Sequence, residues 1–174
     1  MGVAGAGKTL IGSRLAATLG VEFVEGDEFH PPANVMKMAA GVPLTDDDRA
    51  GWLDAIAAQI ASARREERGL VVAASVLKRA YRDRLRAADP AVRFILLVAP
   101  RVVIADRLEH RSGHYMPPSL LDSQLAILEP PHADEQAWVY DNERPPDVIV
   151  ADIAARIRRE GAVTLPRPTS AEGE

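Results

Sequence analysis

With 174 residues the chain is sized for one domain with its own core, and 47% apolar against 26% charged residues is ordinary for a globular protein. A net charge of −4 and a pI near 5.6 speak against a nucleic-acid surface, which would carry a basic excess. The absence of cysteine excludes disulfides, thiolate catalysis and Cys-based zinc sites, and no apolar run reaches the ~18 residues of a membrane span.

Gly2 to Thr9 reads Gly-Val-Ala-Gly-Ala-Gly-Lys-Thr, a complete Walker A phosphate-binding loop. Gly2, Gly5 and Gly7 let the backbone turn its N–H groups inward, those of Ala4 and Ala6 included, around phosphate oxygens. Lys8 can then reach the β- and γ-phosphates of ATP, and the Thr9 hydroxyl can ligate Mg²⁺. The helix that opens at Lys8 adds the positive end of its dipole. Such a loop normally follows a buried strand, yet only Met1 precedes Gly2. The expectation is therefore a native start several residues upstream, with an apolar, β-branched run leading into Met1. No signal peptide precedes the loop, so a cytoplasmic enzyme is expected.

The spacing of Leu10, Ile11, Leu15 and Leu19 predicts a helix over Lys8–Leu19, stopped by Gly20. A short strand over Val21–Glu25 follows, then a brief helix opened by Pro31 and Pro32 and closed at Gly41. Thr45 is placed to cap a long helix with Asp48 at its third position, Leu53, Ile56 and Ile60 along one face, and Gly69 as its end. Leu70–Ala74 is a continuous apolar run, the pattern of a strand buried on both faces. An Arg-rich helix from about Lys78 to Ala87, a strand over Phe94–Val98 and a helix over Val102–Arg111 come next. Beyond the polar loop Ser112–Pro118, Ser119 is placed to cap another short helix. Ala137–Tyr140 reads as a last strand and Asp147 to about Glu160 as a last helix. The tail after Gly161 is expected to be disordered.

Strands alternating with helices at this spacing give a three-layer α/β P-loop fold: a central parallel sheet, its first strand missing from the sequence, with a small lid at about 112–131. Residues 1–160 are expected to form a single domain. Ligands then gather at the carboxyl ends of the strands, which puts Gly2–Thr9, Glu25–His30 and Ser75–Arg79 on one rim. Neither Leu70–Ala74 nor Phe94–Val98 ends in the Mg²⁺-holding carboxylate of motor ATPases and GTPases, and no Asn-Lys-x-Asp guanine signature occurs. The rim carboxylates are instead Glu25 and Asp27. Asp27 suits a kinase, which must position a hydroxyl and accept its proton, while Glu25 is expected to join Thr9 at the metal through a water. Lys37, Arg49, Lys78, Arg79 and Arg82 lie in or beside rim loops. Each alone reads best as a solvated charge, but together they favour an anionic substrate. Arg107 and Arg111, four apart, share a helix face that leads into the loop, a lid whose arginines would close over the transferring phosphate.

At these residues the sequence resembles the gluconokinase family of small-molecule kinases. The matching segments are MGVAGAGKT (1–9), EGDEFHPPANVMKMAAGVPLTDDDRAGWL (25–53), SVLKRAYRDRLR (75–86) and RSGHYMPPSLLDSQLAILEPP (111–131), in family order and spacing. The second is the most diagnostic. The resemblance implies ATP-dependent phosphorylation of D-gluconate to 6-phosphogluconate in a fold similar to shikimate and nucleoside monophosphate kinases, with a homodimer as one expected assembly. It implies that Gly5, Gly7, Lys8 and Thr9 serve ATP and Mg²⁺, that Asp27 and His30 belong to the substrate motif, and that Lys37, Arg49, Lys78 and Arg79 surround the sugar acid. Arg111, His114 and Gln124 match the family's lid and following helix. Glu25 stands where Asp is commoner, Ala74 where Cys is frequent, and Tyr115 and Leu125 where Phe is frequent. Two other readings stay open: a P-loop kinase for another small acid or polyol, shikimate-like, and an inactive nucleotide-binding remnant.

Overall fold

The computed structural model describes residues 1–110 and 120–161. Chain order is α1 (Lys8–Leu19), β1 (Glu22–Glu25), a 3-10 turn (Gly26–Phe29), α2 (Pro32–Ala39), α3 (Asp46–Arg65), β2 (Leu70–Ala73), α4 (Arg79–Ala88) and β3 (Ile95–Val98). It continues through α5 (Arg101–Glu109), α6 (Leu120–Ile127), a 3-10 turn (Ala133–Glu135), β4 (Trp138–Asp141) and α7 (Pro146–Glu160). Ser112–Pro118, Ser119, the tail after Gly161 and much of the expected lid lie outside the described residues.

Local chemistry sets most boundaries. Gly20 and Gly161 adopt the left-handed conformation that terminates α1 and α7. Thr45 and Asp48 form the reciprocal capping box at α3, and three aspartates in its first turn face the positive end of the helix dipole. That helix stops at Arg65, short of Gly69, because Glu66 and Glu67 (φ +50°) turn the chain first. Leu10, expected on the buried face of α1, is 44% exposed.

Among the described residues all strand pairing is parallel, as the α/β reading requires, but the four strands form two separate pairs. In one, Glu22–Glu25 lies beside Leu70–Ala73; in the other, Ile95–Val98 lies beside Trp138–Asp141. Helices cover both faces. One core joins Ile11 and Leu15 of α1 to Ile149 and Ile153 of α7 and to Leu97 and Tyr140 of the second pair. The other joins Trp52 and Ile56 of α3 to Tyr81 and Leu85 of α4 and to Phe94. Successive residues of β2 alternate between them: Val71 packs on the first core, Leu70 and Val72 on the second. The two-faced apolar run is thus real, yet Leu70, Val71 and Val72 are only half-buried, since a cavity of about 500 Å³ runs between β2 and β3. No helix among the described residues is long and apolar enough to cross a membrane.

Candidate active site

The carboxyl ends of all four strands meet the loop Gly2–Thr9. From β1, Glu25 accepts a hydrogen bond from the Thr9 hydroxyl at 2.6 Å. Just past β2, the buried Ser75 hydroxyl donates to the Gly2 carbonyl at 3.1 Å. At β3, a β-carbon on Gly2 would come within 2.8 Å of the Leu97 carbonyl oxygen, so only glycine permits the approach. Just past β4, buried Asn142 donates to the Ala6 carbonyl at 2.5 Å. Gly7, left-handed at φ +80°, turns the loop into α1. Lys8 bends back so that its ammonium donates to the Val3 carbonyl at 3.1 Å.

Burial pushes the pKa of Glu25 up, and the Asp27 charge adds to this; the Thr9 hydroxyl and the Lys8 charge pull the other way. Thr9 and Glu25 therefore present two closely spaced hard oxygen donors at the mouth of the phosphate loop, the ligand type that suits Mg²⁺.

Asp27 lies on the 3-10 turn that leaves β1. The turn is fixed from below, where the Trp52 indole N–H donates to the Gly26 carbonyl at 2.7 Å and a β-carbon on Gly26 would stand 2.7 Å from the Ala73 oxygen. His30 stacks on Trp52 with centroids 4.6 Å apart and planes 9° from parallel. Burial lowers the His30 pKa, partly opposed by Asp27 and reinforced by Arg49, so the ring is neutral at pH 7. Asn34 braces this corner from α2 by donating to the Asp48 carbonyl at 2.7 Å.

The expected cations divide. Lys37 pairs with Asp48 at 2.6 Å, and this contact, with the cap bonds to Thr45, holds the Asp48 carboxyl down at about 2. Lys78 pairs with Asp46 at 2.7 Å, and Asp46 also accepts from the Tyr81 hydroxyl. Arg79 turns to Asp134 and Asp83. Arg82 is fully buried against Glu135 and is a structural clasp. Arg49 differs: it is 6% exposed, its guanidinium lies 6.0 Å from the Tyr81 ring centroid, and its buried Nε has no hydrogen-bond partner among the described residues. It lines a cavity of about 280 Å³ with Met38, Leu44, Leu120 and Gln124.

Gln124 is aimed at the phosphate loop, its carbonyl accepting the Ala4 N–H at 2.7 Å. Arg107 donates to the Asn142 carbonyl at 2.8 Å, on the residue whose side chain holds the Ala6 carbonyl. Arg111 and His114 lie outside the described residues. The structure thus brings Lys8, Thr9, Glu25, Asp27, His30 and Arg49 to one rim, flanks them with Lys37 and Lys78, and leaves Arg79 pointed elsewhere. Sequence reasoning placed Ser75 on the rim without a role, and missed Asn142, Asn34 and Trp52 as members of this site. Trp52 is indistinguishable from a core residue in the α3 stripe, and the only signal for Asn142 was its place directly after a strand.

A phosphate loop on a parallel α/β scaffold, with a carboxylate turn and a buried arginine on the same rim, defines a P-loop small-molecule kinase. A family profile described as an AAA domain matches residues 1–131. The chain is 44% identical over 160 residues to the gluconokinase of Gluconobacter oxydans (strain 621H), covering 92% of this chain and 90% of that protein. A crystal structure of a gluconokinase from Sinorhizobium meliloti 1021 superposes with a TM-score of 0.82 at 43% identity, covering 92% of this chain and 90% of that one. That of a sugar kinase from Janibacter sp. HTCC2649 gives 0.87 at 41% identity, covering 94% and 95%. The chain belongs to the gluconokinase family.

Proposed function

We propose that this protein transfers the γ-phosphoryl group of ATP to the terminal hydroxyl of D-gluconate, giving 6-phospho-D-gluconate. The observation that carries the reading is Arg49: a buried guanidinium whose Nε–H is unmatched among the described residues, lining a cavity on the rim that also holds the phosphate loop and Asp27. An orphaned buried donor of this kind is costly unless a ligand satisfies it, and a carboxylate is the natural match for an arginine fork.

In this reading the sugar acid places its carboxylate at Arg49 and its far hydroxyl beside Asp27, which orients the hydroxyl and accepts its proton. Neutral His30, held flat by Trp52, offers one ring nitrogen to a polyol hydroxyl. Lys8 and the glycine amides of the phosphate loop would hold the phosphates, with Arg107 beside them, while the Ala4 N–H stays on Gln124 and the Ala6 N–H on the Val3 carbonyl. Thr9, and Glu25 through a water, would hold Mg²⁺, which neutralises phosphate charge when bound. Phosphoryl transfer has a loose transition state, so positioning matters more than the strength of the base.

A panel of sugar acids, polyols and shikimate with a coupled ADP readout tests the assignment. ADP formation that depends on gluconate, with 6-phosphogluconate as product, is expected. Turnover with shikimate or another acid but not gluconate would replace the substrate. ATP binding without any acceptor-dependent turnover would favour the inactive remnant.

A further inference from the structure

The buried Asn34 amide meets two neighbours through a single nitrogen. Its Nδ2 donates to the Asp48 carbonyl at 2.7 Å and lies 3.5 Å from Nδ1 of His30, four residues back in the chain. A backbone carbonyl can only accept, so the Asp48 contact decides which end of the amide is nitrogen. The reverse orientation would set two oxygens against each other. With one Nδ2 hydrogen on Asp48, the second is left for His30. An N–H facing Nδ1 is accommodated where Nδ1 bears its lone pair, whereas a proton on Nδ1 would oppose two donors. The neutral ring therefore carries its proton on Nε2.

The surroundings keep the ring in that state. Trp52 stacks on it with centroids 4.6 Å apart, so a half-turn that would exchange the ring's edges must sweep through the indole. The His30 amide donates to the Asp27 carbonyl at 3.2 Å, which fixes the backbone beneath it. Burial and the Arg49 charge outweigh the Asp27 charge and disfavour the imidazolium, in which both nitrogens would donate.

The consequence is for proton transfer. A neutral histidine beside a substrate hydroxyl is ordinarily a candidate general base. Here Nδ1 is covered by Asn34 and Nε2 already holds the proton, so the ring has no lone pair to receive another. It can only donate, to an oxygen lone pair. A hydroxyl that accepts from Nε2–H keeps its own proton for a carboxylate, and Asp27 lies on the turn that leads into His30.

We propose that Asn34 is a positioning residue: it locks His30 as an Nε2–H donor, which grips an oxygen of the acceptor substrate and leaves the hydroxyl proton to Asp27. That gluconate is the acceptor rests on the proposed function; the state of the ring does not.

The test reads the ring directly, by long-range proton–nitrogen correlation spectra of the ¹⁵N-labelled full chain at neutral pH. The chain has four histidines, and the signal lost in His30→Gln identifies His30. The parent ring should show a protonated Nε2 and a bare Nδ1 without any substrate present. In Asn34→Leu the Asp48 carbonyl keeps its α3 ladder bond, so the fold should hold. There the two nitrogen signals should converge as the ring samples both protonation sites. The KM for gluconate should rise about tenfold, with the KM for ATP unchanged. His30→Gln keeps a donor but cannot act as a base, so its kcat should stay within about tenfold of the parent's. A parent ring protonated on Nδ1 or on both nitrogens would overturn the lock. So would an unchanged ring spectrum in Asn34→Leu, or a released ring with an unchanged KM for the acceptor. A kcat loss of roughly 10²–10⁴-fold in His30→Gln would return His30 to proton transfer and overturn the division of roles. Should Asn34→Leu not fold, the parent spectrum and His30→Gln decide. If another acceptor replaces gluconate, the spectrum stands unaltered and the KM is read with that acceptor, so the two proposals can fail separately.

Discussion

Replacing Glu135 by Gln perturbs an ion pair whose side chains are both fully buried. Arg82 approaches Glu135 with two parallel bonds, Nε to Oε2 at 2.5 Å and Nη2 to Oε1 at 2.8 Å. Its remaining nitrogen donates to the carbonyls of Leu77 at 3.1 Å and Glu129 at 3.0 Å, and the His132 amide completes the carboxylate at 2.9 Å. In the Gln variant one amide oxygen still accepts, but the amide nitrogen faces a guanidinium donor and the Arg82 charge is left without a counter-ion. Breaking a buried pair from one side destabilises by about 3–5 kcal/mol. In a domain of this size that lowers the thermal midpoint by roughly 6–20 °C.

Circular dichroism melts at neutral pH supply the measurement, and the double variant Arg82→Met with Glu135→Leu supplies the control. Removing both charges should recover most of the loss, since an apolar pair of similar volume avoids the desolvation penalty. Arg82, through its hydrogen bonds, holds the Glu135 carboxyl down at about 2. A carboxylate depressed in the folded state contributes stability above its unfolded value of 4.5, which is lost as pH falls from there towards about 2. The parent midpoint should therefore fall more steeply than the variant's across that window. A loss under about 1 kcal/mol, the size of a surface pair, with parallel pH profiles would refute the reasoning.

Asp27→Asn should lower kcat by roughly 10²–10⁴-fold with little change in the KM for ATP, and near-normal turnover would remove Asp27 from the chemistry. Arg49→Lys should raise the KM for gluconate about 10–100-fold, because a single ammonium cannot replace the fork; an unchanged KM would detach Arg49 from the carboxylate. Lys8→Ala should nearly abolish turnover while leaving the thermal midpoint close to the parent's, and a variant that loses stability instead would make Lys8 structural. Asn142→Ala leaves the Ala6 carbonyl without its donor. It should weaken ATP kinetics about 2–10-fold with gluconate binding preserved, read as separate KM values.

Elements governed by local chemistry were legible in the sequence. The Thr45–Asp48 box, the glycine stops of α1 and α7 and the apolar run of β2 all report on neighbours in the chain, and apart from the early end of α3 the described strands and helices fall within a residue or two of their expected places. The phosphate loop was legible because its chemistry is contiguous. What could not be read depends on partners far apart in sequence. Arg82 and Arg49 are the same residue type, yet one meets Glu135, 53 residues on, and the Nε of the other meets no acceptor among the described residues. Gln124 resembles a substrate residue in its segment, but its carbonyl reaches Ala4, 120 residues away. Periodicity carries no information about such pairings.

The same long-range bonds tie the chemistry to the sheet. Ser75 holds the phosphate loop from the β1–β2 pair, while Asn142 holds it from the β3–β4 pair, and Gln124 reaches it from α6. The loop therefore takes its shape from both strand pairs and from α6 together. Catalysis that works by positioning loses about 10²-fold for a misplacement near 1 Å. A relative shift of the two strand pairs by that amount would distort the loop and move Thr9 from Glu25 without altering a single functional side chain. Whatever fixes the distance between β2 and β3 acts on turnover through the loop, and its effect should appear first in ATP parameters, since Asp27 and His30 are carried by the β1 side, the Trp52 buttress and the Asn34 brace.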